Sequence, residues 1–255
     1  MSKHVPVALH HNTRFYILML SVLSSLFVVG VVRITFESDQ LFYIRLQQLM
    51  GLFSLLFWYV ALIISPLTYI FGKQKLRHLV YARRAIGVSA AYFAILHLCI
   101  ALWGQLGGPS ELVRLPELIQ TSLLLGAVAT VVLLVMAATS FDAVVRRMTY
   151  SRWKLLHRLT YIAFILVVLH MWMIGTHVTY SLAQIIALSA LLLLAGLESY
   201  RFLMNLDKKW HFIEGKGGAV LLVAVLLAMW FAVIVSIPRS IDNYHSKHHG
   251  GAHGE

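Results

Sequence analysis

The sequence predicts an all-α polytopic transmembrane helical bundle of about seven helices, a six-helix core region with one extra C-terminal helix. Three observations carry this reading. Of the 255 residues, 60% are apolar and only 12% charged, against about 25% charged in an ordinary soluble domain. The apolar residues come in blocks of about twenty, the length that crosses roughly 30 Å of hydrocarbon. The Lys and Arg residues gather in the short connectors between those blocks, as topology signals and lipid-headgroup contacts do. That placement turns the formal charge of +11 toward membrane lipid and away from nucleic acid.

The first span is about Phe15–Phe36, preceded by Lys3 and Arg14. Its run is longer than a signal-peptide core and no small-x-small cleavage pattern follows, so a retained helix is expected. The second is about Leu46–Ile70. The basic loop Gly72–Arg83 leads to the third, Arg84–Leu106, and the fourth is Leu118–Thr139. The basic loop Ser140–Arg152 precedes the fifth, Trp153–Thr176, and the sixth is Leu182–Leu203. After the loop Met204–Gly217 comes the seventh, Gly218–Ile237, which contains AVLLVAVLLAMWFAVIV. With seven spans, only Arg33, Arg45, Arg114, Arg239 and Lys247 of the 21 basic residues fall on the side away from the N-terminus. The positive-inside bias therefore puts the N-terminus in the cytoplasm and the C-terminus outside. The single cysteine, Cys99, lies in an apolar block. With no CxxCH and no cysteine cluster, covalent haem attachment and cysteine-ligated iron–sulfur or zinc sites are excluded.

Three histidines lie well inside the spans: His97, His157 and His170. Polar groups in hydrocarbon are costly and face a bundle interior or a site. For one such residue alone, a helix–helix hydrogen bond is an equally good reading. His97 comes thirteen residues after Arg84 and His170 twelve after Arg158. At about 1.5 Å per residue, both sit roughly 18–20 Å from the inner boundary. Two imidazoles at one depth can clamp an iron porphyrin between helices, and a bis-histidine site with no open position suits electron transfer. His157 lies near the inner boundary, about 20 Å of rise from His170 and roughly 140° around an ideal helix from it. It is expected either to serve a second, inner haem or to bond a headgroup or loop carbonyl. A kink or π-bulge would be needed for both histidines of this helix to face one stack.

The run ARRAIGVSAAYFAILHL, followed by SRWKLLHRLTYIAFILVVLH, resembles the ferric-reductase-like transmembrane domain family. Within it, the likeness is to haem-binding membrane subunits of periplasmic protein-methionine-sulfoxide reductase systems. RR-x-x-G opening the third helix, RWKxLHRLxY opening the fifth, and ISPLTYIFGKQ at Ile64–Gln74 carry the match. The resemblance implies a b-type cytochrome with one or two haem b groups and with His97, His157 and His170 as the haem-ligand positions. It implies a quinol or a flavin reductase as donor, FMN or quinone as a further cofactor, and an extracytoplasmic molybdopterin reductase as acceptor. It also implies a bacterial inner membrane. No GxGxxG loop follows a strand, so a separate donor is expected.

The organisation expected on this basis is a cytoplasmic N-terminus at 1–14, the first helix and its outer loop at 15–45, and the haem-binding core at 46–203. A cytoplasmic loop at 204–217, the extra helix at 218–237 and a His-rich extracytoplasmic tail at 238–255 follow. The extra helix and the tail depart from the family pattern. His245, His248, His249 and His253 could bind a metal ion. Outside a metalloreductase, such a tail could gather ferric or cupric ions. That is the first alternative function; a haem-free transporter or structural protein with a metal-binding tail is the second. Arg84 is the best candidate among the basic-loop arginines for a cofactor anion, against simple positive-inside anchoring. His177, seven residues after His170, could bond a propionate from the same helix face or be a solvated loop histidine. Glu198 is expected to pair with Arg201 or to accept a quinol proton.

Overall fold

The computed structural model of the chain describes residues 7–174, 181–210, 223–225, 227–228 and 231. Every regular element among them is helical: α1 (Val7–Thr35), α2 (Asp39–Phe71), α3 (Arg77–Cys99), α4 (Glu117–Ala138), α5 (Asp142–Arg147), α6 (Tyr150–Ile174) and α7 (Ser181–Trp210). A π-helical turn, Ile100–Gln105, continues α3, and a 3-10 turn, Pro109–Arg114, precedes α4. Six of the described helices are long and apolar enough to cross a membrane. The seventh expected span, Gly218–Ile237, falls largely outside the described residues, as do His177 and the tail histidines His245, His248, His249 and His253.

The chain divides into two compact units, Met1–Val167 and Val168–Glu255. The first is built on a seam between α2 and α3. The buried face of α3 is Ala82, Ala85, Ser89, Ala90, Ala91, Phe93 and Ala94. Six of these seven are small, which lets two backbones approach closely where lipid supplies no hydrophobic drive for helix association. Hydrogen bonds fix an antiparallel register along the seam. Arg83 Nε donates to the Ala61 carbonyl at 2.9 Å. Ser54 Oγ donates to the Ala90 carbonyl at 2.9 Å. Farther along, His97 Nδ1 lies 2.7 Å from the Gln47 carbonyl. Phe93 fills the seam, stacked between Phe53 and Phe57 with ring centroids 5.2 and 5.4 Å away. The Arg83 bond falls where α2 carries Pro66. Pro66 cannot donate to the carbonyl four residues back, at Leu62, the neighbour of Ala61.

Hydroxyl contacts add α1 to this pair. Ser21 Oγ donates to Ser89 Oγ at 2.8 Å, and Ser25 Oγ meets the Tyr92 hydroxyl at 2.7 Å. The first part of α6 joins through Trp58, whose Nε1–H donates to Thr160 Oγ1 at 2.8 Å and whose ring meets Phe164 edge-on. The faces of α1 and α4 away from these contacts carry exposed Phe15, Leu20, Phe27, Leu124 and Val131, as lipid-facing surfaces should.

In the second unit, α7 pairs Glu198 with Arg201. A Cβ on Gly196 would meet Leu227 Cδ2 at 3.0 Å, so this glycine makes room for the helical residues that follow α7.

The Trp58–Thr160 bond gives a direct test of the α2–α6 junction. Trp58→Phe keeps the aromatic contact and removes the donor, at an expected cost of about 1 kcal/mol. Thermal melts of the detergent-solubilised protein should show Thr160→Val costing a similar amount. The double variant should then be no worse than either single one.

Candidate functional site

His97 is carried near the end of α3, three residues before the π-helical turn begins at Ile100. Turns of that type occur frequently at functional sites. A carbonyl oxygen can only accept, so the 2.7 Å contact with Gln47 places the proton on Nδ1. The basic lone pair then belongs to Nε2. Metal-ligating histidines are oriented in this way, by a hydrogen bond from the nitrogen that does not bind. The acceptor belongs to a different helix, so the ring is aimed by the α2–α3 seam.

His157 uses the same device within its own helix. Its Nδ1 lies 3.1 Å from the carbonyl of Trp153, four residues earlier, which again assigns the basic lone pair to Nε2. The Trp153 ring stacks on the imidazole with centroids 4.0 Å apart. Trp153 is in turn held by its Nε1–H, which donates to the Thr139 carbonyl at 3.2 Å. The Arg84 guanidinium carbon lies 5.5 Å from the Trp153 ring centroid, a cation–π distance.

His170 also lies on α6, in the second unit. All residues of α6 are described, and the helix runs without a π-turn from Tyr150 to Ile174. The π-helical turn therefore lies beyond the histidine of α3, not on the helix that carries two.

Arg84 has protein partners as well as Trp153. It and Arg14 share the carboxylate of Asp142, with contacts of 2.9 Å each. This bridge ties α1 and α3 to α5. Beside it is a cavity of about 250 Å³ lined by Phe15, Leu18, Val88 and Phe141, with Arg14, Arg84 and Asp142 among its polar groups. Arg14 Nε is buried there without a hydrogen-bond partner. The sequence alone did not single out Asp142, Arg14, Trp153 or the Gln47 carbonyl. The signal for Asp142 was an acid alone among Arg146, Arg147 and Arg152. A backbone carbonyl leaves no signal at all.

The ferric reductase like transmembrane component model matches residues 47–168. The protein-methionine-sulfoxide reductase heme-binding subunit MsrQ of Pectobacterium carotovorum is 32% identical over 149 residues, covering 56% of this chain and 73% of that relative. The chain belongs to the ferric-reductase-like transmembrane family. Family members with the same subunit name in Deinococcus radiodurans and Polaromonas naphthalenivorans are 42% and 33% identical, over 35% and 48% of this chain. The chain spans about half the length of these two, 44% and 55%. No solved structure matches it. Both His97 and His157 fall within the family match, and His170 lies two residues past its end.

The Asp142 bridge carries a pH dependence. The Arg14 hydrogen bond, with the charges of Arg14, Arg84 and Arg146, holds this carboxyl below the usual carboxylate range, against a smaller opposing effect of burial. A folded-state pKa below the unfolded one gives stability that is complete above the unfolded pKa. It is lost as pH falls through the folded one. Half-exposed pairs contribute little, under about 1 kcal/mol. Melting temperature should therefore fall on acidification below the carboxylate range, and Asp142→Asn should flatten that part of the profile. High salt should reduce the difference between the two proteins.

Proposed function

We propose that this chain is a b-type cytochrome membrane subunit. It carries electrons from a cytoplasmic or membrane donor, quinol or reduced flavin, through bis-histidine haem to an extracytoplasmic methionine-sulfoxide reductase. The observation that carries the reading is the state of His97: an imidazole inside a span, proton held on Nδ1 by the Gln47 carbonyl, basic nitrogen at Nε2. Neutral imidazole on an apolar bundle helix is the donor chemistry that ferrous and ferric haem iron accepts. The names of the relatives, heme-binding subunits of that reductase system, point the same way.

In this reading His97 and His170 are the residues that would hold one haem b, each through an imidazole nitrogen. The support is register: His97 comes about twenty residues into the span Arg77–Gln105 and His170 about nineteen into Ser151–Ile174. His157, held by the same kind of hydrogen bond, is the ligand position for a second, inner haem. Haem supplies one-electron redox chemistry; the protein supplies orientation and a water-poor surrounding. The N-terminus lies in the cytoplasm on the positive-inside argument, which puts the Asp142 bridge and its cavity on the donor side. The cavity's aromatic and aliphatic walls suit the ring of a quinol or flavin, with the buried Arg14 Nε–H as hydrogen-bond donor. From there Arg84 and the Trp153 ring form a contact path to His157.

The deciding measurement is a reduced-minus-oxidised visible spectrum of the purified protein. A Soret and α-band of a six-coordinate b-type cytochrome is expected, and His97→Ala with His170→Ala should abolish it or convert it. A protein without a Soret band, or a band indifferent to both substitutions, overturns the proposal. Deleting residues 240–255 should leave the haem spectrum and electron delivery to a methionine-sulfoxide reductase intact. Loss of ferric-ion reduction with intact haem would instead favour the metalloreductase.

A further inference from the structure

We infer that Gly51 is a positioning residue for His97. With the Gln47 carbonyl it sets the plane and basicity of that ligand, and so the redox potential of the haem it holds. The inference rests on the haem reading above for its redox part only.

Gly51 stands one helical turn after Gln47 on α2, so both share the face turned to α3. A Cβ built on Gly51 would lie 2.9 Å from His97 Nδ1, 3.2 Å from Cε1 and 3.5 Å from Cγ. The first distance is one that real Cβ contacts do not show. The imidazole thus lies close against the backbone of α2 at Gly51, where no side chain projects. The obstacle would not be the far end of a flexible chain. It is the ring itself, pinned by the 2.7 Å contact with the Gln47 carbonyl. Moving the ring away from position 51 therefore lengthens or breaks that bond.

Each part has a consequence at Nε2. The short Nδ1–H···O bond pushes electron density into the ring and raises its basicity as a ligand. A more basic axial ligand favours ferric over ferrous iron, which lowers the midpoint potential. A glycine in a helix interior costs roughly 1 kcal/mol relative to alanine, so an ordinary surface would gain from alanine here. Gly87 on α3 is the internal contrast: a Cβ there meets nothing within 4 Å.

Gly51→Ala should retain haem with a midpoint potential shifted to more positive values and altered low-spin electron-paramagnetic-resonance g-values. Gly87→Ala should leave both unchanged. A Gly51→Ala protein with wild-type potential and g-values overturns the inference. A second measurement needs no haem. Melting temperature should fall on Gly51→Ala when His97 is present, and should not fall when the same change is made in His97→Ala. Equal losses in the two backgrounds overturn the contact. If Gly51→Ala fails to accumulate in membranes, His97→Ala should restore accumulation; failure of that rescue also overturns it. A wild-type protein without a haem spectrum sinks the functional reading and leaves the melting cycle to decide the contact by itself.

Discussion

The close approach of α3 to α2 is the constraint on which the rest of the first unit depends. In hydrocarbon, two apolar helices gain little by meeting, because lipid is as apolar as they are. What α3 offers instead is a face of Ala82, Ala85, Ala90, Ala91 and Ala94, small enough for backbone groups to become hydrogen-bond partners. Arg83 and His97, near opposite ends of α3, each reach a carbonyl of α2, and Ser54 of α2 reaches a carbonyl of α3 between them. The contacts run antiparallel and are mutually consistent. The position of His97 is therefore set by a seam that runs from Arg83 to His97 on α3 and from Gln47 to Ala61 on α2, not by its immediate neighbours. The hydroxyls of α1 and the indole of Trp58 then attach further helices to a pair already in register.

How much of this was legible in the sequence follows from where each determinant lies. Span existence was legible because bilayer thickness sets run length, and the six described spans fall where apolar blocks were read. The start of α2 was not: the helix begins at Asp39, in a mixed stretch where Arg45 interrupts the apolar run. Ser38 before Asp39 was the available start signal. The π-helical turn after His97 changes backbone hydrogen bonding and has no side-chain signature.

Among the site residues, His97 and His157 were legible because an imidazole is conspicuous in an apolar helix. Gly51 and Gln47 were not, since one contributes the absence of a side chain and the other a carbonyl. Arg84 was read as a cofactor contact or an anchor. The structure gives it a carboxylate from Asp142, 58 residues away in the chain, a pairing that spacing could not suggest. Glu198 and Arg201 lie three apart on one helix, and their pairing was readable.

The two histidines of the first unit carry their protons in the same place for different reasons, and the difference decides what can perturb each. His97 donates across a helix–helix seam, so anything that changes the α2–α3 distance changes the imidazole. Hydrocarbon around that seam keeps salt and pH away from it. His157 donates to its own helix, so its hydrogen bond survives any movement of neighbours. Its other contacts lead outward, however: Trp153 stacks on it, Arg84 lies over Trp153, and Arg84 is tied to Asp142. The Asp142 side chain is 47% exposed, and exposed charges are screened over about 10 Å at ordinary ionic strength. The electrostatic surroundings of His157 are thus coupled to solution through one indole and one guanidinium. One imidazole is held by a neighbouring helix and the other by its own, so a shift between α2 and α3 disturbs the first and leaves the second in place.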